Sequence, residues 1–309
     1  MKIFSGVPKI DFMAQRKTGL WVSAIVTIAS ILLVAFRGLN FGIDFTGGVL
    51  VEVHYPQAVQ LDAVRADLAK ASYDNPVVQF FGTSEDVLIR LPPTAETNSA
   101  KVSTTIIDAL RSTEPKVELR RIEFVGPQVG DELTRDGSLA LLLAFLGIMV
   151  YIAFRFEWKF SVGAVAALIH DAIMVLGFLS ATWIEFDLTT VAAILALIGY
   201  SNNETIVIFD RVRENLLGLR RMEILEVVNL SVNQTLLRSV ITHLTTLLVL
   251  SALLTVGGKS VHSFASALFV GVIVATYSSI YVSTGLAVVL GISREDLLPP
   301  EKTEIDELP

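Results

Sequence analysis

Long apolar stretches recur along the chain at the length that a bilayer-spanning helix requires. Six of them contain few charged residues and approach or exceed the roughly 20 residues that an α-helix needs to cross a bilayer. They cover residues 20–36, 137–154, 160–184, 188–209, 239–258 and 264–292. The pattern therefore predicts six transmembrane helices. The first has basic flanks like those of a secretory signal, but no small-residue cleavage pattern follows it, so we expect it to be retained.

The polar segment between the first two apolar stretches has a regular order of periodicities. Apolar residues first alternate as in a strand, then adopt helical spacing, and this succession continues until the second stretch begins. Strands are predicted over 49–55, 75–82, 86–92 and 117–125, helices over 60–71 and 100–112, and a turn over 82–85. The order β-α-β-β-α-β is that of a ferredoxin-like sandwich. The predicted fold class is an α-helical membrane protein, with six transmembrane helices and a ferredoxin-like α+β extracytoplasmic domain inserted after the first helix.

Composition and charge agree with a membrane protein and orient it. The chain is 52% hydrophobic and 18% charged, with a mean hydropathy of +0.62, which exceeds what a soluble domain of this length needs. Basic residues in short connections resist translocation. They collect on one side of the predicted spans, which predicts two cytoplasmic termini: Lys2, Lys9, Arg16, Lys17, Arg155, Lys159, Arg211, Arg213, Arg220, Arg221, Arg294 and Lys302. The short loops of the other side offer only Lys259, beside the acids Glu185 and Asp187.

This topology predicts four parts of the chain. They are a cytoplasmic N-terminus with the first helix (1–37), the extracytoplasmic domain (38–135), a five-helix transmembrane bundle (136–293) and a cytoplasmic tail (294–309). The acidic segment 295–309 is predicted to be solvated and disordered. Residues 216–237 alternate apolar and charged positions at helical spacing, which predicts a helix on the membrane surface or a surface for a partner.

Several function classes are excluded or disfavoured. The chain has no cysteine, which excludes disulfides and thiolate metal sites. Its basic residues lie at membrane edges and do not form a nucleic-acid surface, and the net charge of -7 says little about partners in a membrane protein. No phosphate-binding loop or nucleophile triad is present. We therefore expect no enzyme activity, no cofactor, no metal and no nucleic-acid partner.

Two glycine-rich motifs bracket the inserted domain. GIDFTGG (42–48) follows the first span and VGPQVGDEL (125–133) precedes the second. Glycines permit tight turns that side chains would obstruct. We interpret the motifs as hinges whose candidate residues are Asp44, Gly47, Gly48, Gly126, Pro127 and Gly130. Alternatively, Asp44 caps a turn and the glycines only connect segments.

A buried acid is the main candidate for chemistry. Glu204 lies sixteen residues past Leu188, roughly 24 Å along a helix, which places it toward the cytoplasmic end of the fourth span. Arg238 lies at the same end, near the start of the fifth span. An acid at membrane depth usually faces the bundle interior and has a partner. The pair could load and release a proton as burial and the arginine compete for the carboxyl, or it could simply hold two helices together.

Other polar residues lie within the predicted spans, and His170 and Asp171 are expected near mid-membrane. His170 and Asp171 are adjacent in the third span, and each is either a relay residue or the partner in an interhelical hydrogen bond. His243 lies deeper than Arg238 and is expected to face a similar direction. Asn203 and Asn202 are expected to hydrogen-bond across helices or to hold water near Glu204, and structural contacts are the expected role of Asn202.

Four motifs in one order closely resemble the SecF family of bacterial membrane proteins, whose members act with SecD in an accessory protein-export complex. They are IDFTGG, VGPQVG, the pair His170-Asp171 and GYSNNETIVIFDRVREN. The resemblance covers residues 41 to about 290 and extends to the resistance-nodulation-division group of proton-driven exporters. It implies six spans with one large loop after the first, location in the bacterial inner membrane, and proton coupling through Glu204 and Arg238. Where the family pattern has Asn-Asp, this chain has Asn203-Glu204, which leaves the geometry of the pair open.

The same resemblance implies partners and a function. The expected partners are SecD, the translocation channel formed by SecY, SecE and SecG, the further subunit YajC, an unfolded translocating preprotein and membrane lipid. The expected function is proton-driven movement of preproteins across the cytoplasmic membrane. Two alternatives remain: a scaffold of the channel that uses no protons, and half of an exporter of small lipophilic molecules. The second alternative is disfavoured because such exporters generally carry two six-span halves and larger external loops.

Overall fold

The computed structural model describes residues 8–71, 73, 76–92 and 99–297. Within these ranges, six helical segments are long and apolar enough to cross a membrane, so this prediction is confirmed. The helices, in chain order, are α1 (Arg16–Arg37), α2 (Ile43–Thr46), α3 (Leu61–Lys70), α4 (Ser99–Thr113), α5 (Pro127–Arg155), α6 (Trp158–Thr182), α7 (Leu188–Gly218), α8 (Ile224–Val256), α9 (His262–Ser278) and α10 (Thr284–Val289). A π-helical turn, Ser279–Ser283, joins α9 and α10 into the sixth span.

The strands form two sheets. They are β1 (Asn40–Phe41), β2 (Gly48–His54), β3 (Val77–Phe81), β4 (Thr83–Leu91), β5 (Glu118–Val125) and β6 (Glu185–Phe186). Strands β1 and β6 pair in parallel, and the other four form an antiparallel sheet in the order β3-β4-β2-β5.

The inserted domain, residues 48–125, is a ferredoxin-like sandwich, as predicted. Its order β2-α3-β3-β4-α4-β5 is a split βαβ pair. Alternate residues of β2 point to opposite faces of the sheet. Val51 and Val53 pack with Leu68 of α3 and Ile106 of α4 in one core. Leu50 points to the other face, which turns toward the membrane helices. The predicted turn over 82–85 is tighter than expected, because β4 begins at Thr83.

The membrane helices form a bundle around α6, α7 and the sixth span. The most apolar windows of these three spans are 56% buried, against 11% to 17% for α1, α5 and α8. Glycines let the helix backbones approach closely. A Cβ on Gly177 of α6 would lie 2.4 Å from Ser30 of α1, and a Cβ on Gly163 would lie 2.5 Å from the carbonyl oxygen of Ser283.

Helix α8 corrects one prediction. Residues 216–237 do not form a separate surface helix, because α7 continues to Gly218 and α8 runs unbroken from Ile224 to Val256. Within this segment Val227, Val228 and Val232 are buried in the bundle core. A helix packed on a neighbouring helix has the same apolar period as one on a membrane surface, so the period alone could not distinguish the two.

The structure differs from the predicted domain bounds and from the predicted C-terminal tail. Helix α5 is continuous from Pro127 to Arg155 and therefore crosses the predicted bound at 135; the four-part division stays a prediction. Residues 295–297, predicted to be disordered, form a 3-10 turn instead. Lys159 Nζ contacts Asp296 Oδ2 at 2.7 Å and holds this turn on α6. The predicted disorder from residue 298 onward lies outside the described residues.

Candidate functional site

Glu204 is buried between α7 and α8. Its side chain faces the bundle and the residue is 6% exposed. Ser239 of α8 lies in hydrogen-bond contact with Glu204 Oε1, and the same hydroxyl lies 3.2 Å from the carbonyl oxygen of Thr235. A hydroxyl has one proton to donate and lone pairs to accept. Ser239 can therefore donate to a charged Glu204, or accept from a protonated Glu204 while it donates to Thr235.

His243 is the second group at this carboxyl. Its Nε2 lies 3.8 Å from Glu204 Oε2, and its Nδ1 lies 2.7 Å from Thr276 Oγ1 of α9. The Thr276 hydroxyl also lies 2.8 Å from the carbonyl oxygen of Val272. Both contacts of Thr276 are satisfied when it donates to Val272 and accepts from a protonated Nδ1. In a neutral His243, Nε2 then turns its lone pair toward Glu204. One proton can therefore lie between Nε2 and the carboxyl, bound to either group.

Arg238 does not form the ion pair that its depth suggested. The residue is exposed on α8, and among the described residues the ion-pair contact of Glu204 is with His243. Arg238 and His243 are five positions apart, so they point about 140° apart around a helix; the expectation that they face a similar direction is wrong. Ser239 and His243 are four positions apart and share the face that meets α7.

A second polar cluster surrounds Asp171. This residue is 1% exposed. His170 Nδ1 lies 2.9 Å from its Oδ1, whereas the hydroxyls of Ser201 (α7) and Ser278 (α9) donate to its Oδ2 at 2.6 and 2.8 Å. Asp171 therefore links three membrane helices. Because Ser201 and Glu204 are three positions apart, they lie on one face of α7, and the two clusters are neighbours along that helix.

The two asparagines beside Glu204 lie on different sides of α7. Asn203 is exposed and points away from the Glu204 contacts, and its assigned role stays a prediction. Asn202 is 9% exposed, and its Oδ1 has no hydrogen-bond donor among the described residues. A buried acceptor without a donor is costly, and the packing of the described residues leaves this oxygen of Asn202 unsatisfied.

The π-helical turn lies directly after the Asp171 contact. Ser278 ends α9, and the hydroxyls of Ser283 and Thr284 both donate to the carbonyl oxygen of Ser279 at 2.7 Å. Two hydroxyls therefore share one carbonyl oxygen within this turn. Turns of this kind occur frequently at functional sites.

The two glycine motifs lie against each other at the other end of α7. Gly47 and Gly48 have φ angles of 66° and 117°, which glycine adopts readily. A Cβ on Gly130 would lie 3.0 Å from the backbone nitrogen of Gly47, and a Cβ on Gly47 would lie 3.2 Å from the Cα of Pro127. A Cβ on Gly126, by contrast, would meet open space.

Asp44 contacts the N-terminus of a helix, whereas the alternative interpretation of its motif expected it to cap a turn. Its Oδ2 accepts a hydrogen bond from the backbone nitrogen of Leu188 at 2.9 Å, at the N-terminus of α7, where a carboxylate is favourable. The hinge role of the two motifs stays a prediction.

The sequence interpretation missed the hydroxyl groups. Ser201, Ser239 and Ser278 make interhelical contacts with the two carboxyls, and Thr276 contacts the imidazole of His243. Two signals could have found them: the spacing of three or four residues from Glu204 and His243, and the density of hydroxyl residues over 276–284 inside an apolar span.

Fold and site together define a class of protein. Six membrane-spanning helices enclose two carboxyls that are solvated by hydroxyl and imidazole groups, and a ferredoxin-like domain is inserted after the first helix. Intramembrane acids in such bundles mark ion or proton pathways by default. The class is a membrane transport protein of the six-span type.

Comparison with known families makes this specific. The family model described as "Protein export membrane protein SecD/SecF, C-terminal" matches residues 105–293, and the one described as "SecD/SecF GG Motif" matches residues 32–59. The chain belongs to the SecD/SecF family. It is 46% identical to the protein translocase subunit SecF of Pseudomonas aeruginosa, over 97% of this chain and 98% of that protein. It is 43% identical to SecF of Haemophilus influenzae, over 98% and 93% of the two chains.

Solved structures agree with the fold. The chain is similar to SecDF of Thermus thermophilus, described as a translocon-associated membrane protein, with a TM-score of 0.84 and 36% identity. The alignment covers 93% of this chain and 39% of the longer SecDF chain. A second structure, of SecDF in a super-membrane-facing form, aligns over the same shares with a TM-score of 0.67.

Proposed function

We propose that this protein is an accessory subunit of the bacterial Sec translocase that uses the proton gradient, in complex with SecD, to drive preproteins across the cytoplasmic membrane. Glu204 is the proton carrier in this proposal. The observation that carries it is the contact of one buried carboxyl with Ser239 and His243. Both groups can serve a charged and a neutral Glu204, which is the requirement for loading and release.

The direction of transport follows from the proposed orientation. Short basic connections place both termini in the cytoplasm and the inserted domain outside. Arg155 and Lys159 lie at one end of the bundle, on the connection between α5 and α6, and the inserted domain lies at the other end. A proton that enters from the outside and leaves to the cytoplasm releases about 2.3 kcal/mol per 100 mV, which suffices to bias a two-state movement.

In this proposal the proton changes helix packing because it changes the charges of Glu204 and His243, which are in contact across α7 and α8. With Glu204 charged, a protonated His243 is favoured beside it, and α7 and α8 are held by an ion pair. With Glu204 neutral, the charge attraction is lost, and the contacts of Glu204 with Ser239 and His243 remain without it. Asp171 and His170 form a second group in the proposed path, one helical turn from Glu204 through Ser201.

The work is mechanical in this proposal. The chain carries out no covalent chemistry and needs no cofactor. The inserted domain has two states in this proposal, and one of them binds the emerging polypeptide better than the other. Alternation between these states would favour outward movement of the polypeptide. Two solved SecDF structures align with this chain over the same shares but with TM-scores of 0.84 and 0.67, so SecDF chains are found in more than one shape. SecD is the expected partner, and SecY, SecE and SecG form the expected channel.

Export in cells that lack the native gene tests the proposal. The variants are Glu204→Asp, Glu204→Gln and the control Glu157→Gln, expressed at matched levels with SecD co-purification as a check on assembly. Glu157 is a suitable control because it is a partly buried glutamate at the end of the same bundle, 3.4 Å from Arg213. We expect Gln at 204 to reduce export to the level of the deletion strain, and Asp and the control to support export.

The scaffold alternative makes the opposite prediction. A near-isosteric amide keeps the size of Glu204 and its hydrogen bond to Ser239, so a scaffold that uses no protons would export normally with Glu204→Gln. That outcome, with an intact complex, would overturn the role of Glu204 as the proton carrier.

A further inference from the structure

A buried arginine joins the inserted domain to two connections of the membrane helices. Arg90 lies on β4 and is 9% exposed. Its Nη2 lies 3.1 Å from Glu185 Oε2 in the connection between α6 and α7. Its Nη1 donates to Asn40 Oδ1 at 2.8 Å and to the carbonyl oxygen of Phe41 at 3.1 Å. Arg90 therefore ties the sheet to both β1 and β6.

The connection that Arg90 contacts is short and well anchored. Residues 183–187 are all that separate α6 from α7. Within them Glu185 and Phe186 pair with Asn40 and Phe41, and the backbone nitrogen of Gly42 donates to the carbonyl oxygen of Phe186 at 2.9 Å. A shift of α6 or α7 thus moves Glu185 directly, without a flexible loop to absorb the motion.

The rest of this interface is weakly packed. Leu50 and Leu88 of the sheet form a small buried cluster with Ile43 of α2, and Arg121 donates to Ser260 Oγ at 3.2 Å. A cavity of about 410 Å³ lies between the sheet and the connections of the membrane helices. The buried apolar contacts are confined to this small cluster, so we expect the polar contact of Arg90 to have a large share in holding the domain.

The contact is also suited to release. Among the described residues, Arg90 Nε and Nη2 have no acceptor with hydrogen-bond geometry, although Nη2 is close to Glu185. Burial raises the pKa of Glu185, with smaller contributions from the charges of Asp187 and Asp44, while Arg90 acts in the opposite direction. Water would solvate both ions once the pair opens, which offsets part of the attraction that is lost.

We propose that Arg90 and Glu185 are positioning residues that form a latch, through which movement of α6 and α7 docks and releases the inserted domain. This proposal rests on the proposed proton function, because it supplies the connection between the Glu204 site and the domain that handles polypeptide. It assigns the coupling to the Arg90–Glu185 latch, at the opposite end of α7 from the proton site.

Cysteine labelling in the intact complex reports the latch. The chain has no cysteine, so a single Leu88→Cys substitution gives one reactive thiol. Leu88 is 2% exposed on the docked face of the sheet and lines the cavity beside Glu185. Spheroplasts that contain the complex with SecD are treated with a membrane-impermeant maleimide, and the labelling rate is measured in the presence of each latch variant.

We expect Glu185→Gln and Arg90→Gln to raise the labelling rate by about tenfold, the equivalent of a charge-assisted contact of about 1.4 kcal/mol, and to reduce export. The matched control is Glu118→Gln, which removes an exposed ion pair with Arg120 on the same domain, at 3.5 Å; it should label and export as wild type. The exchanged pair, Arg90→Glu with Glu185→Arg, should restore part of the slow labelling, because it restores the ion pair but not the hydrogen bonds that Arg90 donates to Asn40 and Phe41. Co-purification with SecD verifies folding of each variant.

Coupling is tested by combination with the proton site. Glu204→Gln should change the labelling rate of Leu88→Cys when the latch is intact, and should have no effect when Glu185→Gln is also present. The latch would be overturned if both latch variants were labelled and supported export as wild type does. It would also be overturned if Glu204→Gln still changed the labelling rate when Glu185→Gln is present. Failure of the proton function appears separately, as normal export by Glu204→Gln.

Discussion

Asp171 gives the sharpest test of how polar groups act inside this bundle. Its Oδ2 accepts hydrogen bonds from Ser201 at 2.6 Å and from Ser278 at 2.8 Å, on two different helices. Asp171→Ala removes both bonds at once. Interhelical hydrogen bonds in membrane proteins contribute about 0.6 kcal/mol on average and up to about 1.7 kcal/mol. Two of them give an expected loss of about 1 to 3 kcal/mol in the free energy of unfolding.

Asp171→Asn separates this structural contribution from proton transfer. The amide oxygen can accept from both serine hydroxyls, and the amide nitrogen can donate to His170 Nδ1, which lies 2.9 Å from Oδ1. The free energy of unfolding should then fall by less than about 1 kcal/mol. An amide cannot carry the proton of a carboxyl, so under the proposed path export should fall although stability is kept.

The assay is reversible unfolding of the purified protein in bicelles, in parallel with export in cells. Asp131→Ala is the control, because Asp131 is an exposed acid on α5. A loss below about 0.5 kcal/mol for Asp171→Ala would refute the additive estimate for the two bonds. Wild-type export by Asp171→Asn would show that this carboxyl holds helices together and does not belong to the proton path.

Two further predictions concern packing and pH. Gly163→Val should lower the free energy of unfolding by about 1 to 3 kcal/mol, because its Cβ would lie 2.5 Å from the Ser283 carbonyl oxygen at the π-helical turn. The control Gly147→Val meets open space and should not lower it. Unfolding in bicelles measures both variants, and equal losses would contradict the argument. Burial, with the charges of Asp67 and Glu114, raises the pKa of Tyr55 from 10.0 to about 12. Since the folded state holds this proton more tightly, its contribution to stability is present below pH 10 and is lost as the pH rises toward 12. Phenolate absorbance of wild type and Tyr55→Phe should differ by one late-titrating tyrosine, and a difference that titrates at the ordinary pKa would refute the prediction.

Much of the fold could be predicted from periodicity. The six spans and the β-α-β-β-α-β order depend on local patterns of apolar residues, which burial in lipid or in one small core makes strong. The break between α7 and α8 was harder to predict, because residues 216–237 carry an amphipathic pattern that suits either a membrane surface or a neighbouring helix. Its apolar face packs in the bundle core, through residues such as Val227 and Val232.

The sequence predicted how deep the site residues lie in the membrane, but not which way their side chains point. Counting residues from the ends of the predicted spans correctly assigned Glu204 and Arg238 to two neighbouring helices. The rotation of α8 decides which side chain meets Glu204, and each residue turns the helix face by about 100°. Ser239 and His243 are on the buried face and Arg238 is not. Rotation is set by the packing of whole helices, which a single residue position does not reveal.

Helix α7 connects the two ends of the proposed mechanism. Asp44 binds its first backbone amide, and Glu204 lies sixteen residues further, roughly 24 Å along a rigid helix. A tilt of about 5° about the Glu204 site would displace the N-terminus of α7 by roughly 2 Å, a size that is common for helix shifts in switching proteins. An ion pair keeps its contact only while nitrogen and oxygen stay within about 4 Å. The Arg90 to Glu185 distance of 3.1 Å would then exceed contact range. A small repacking around one carboxyl is therefore sufficient, in scale, to open the latch at the far end of the helix.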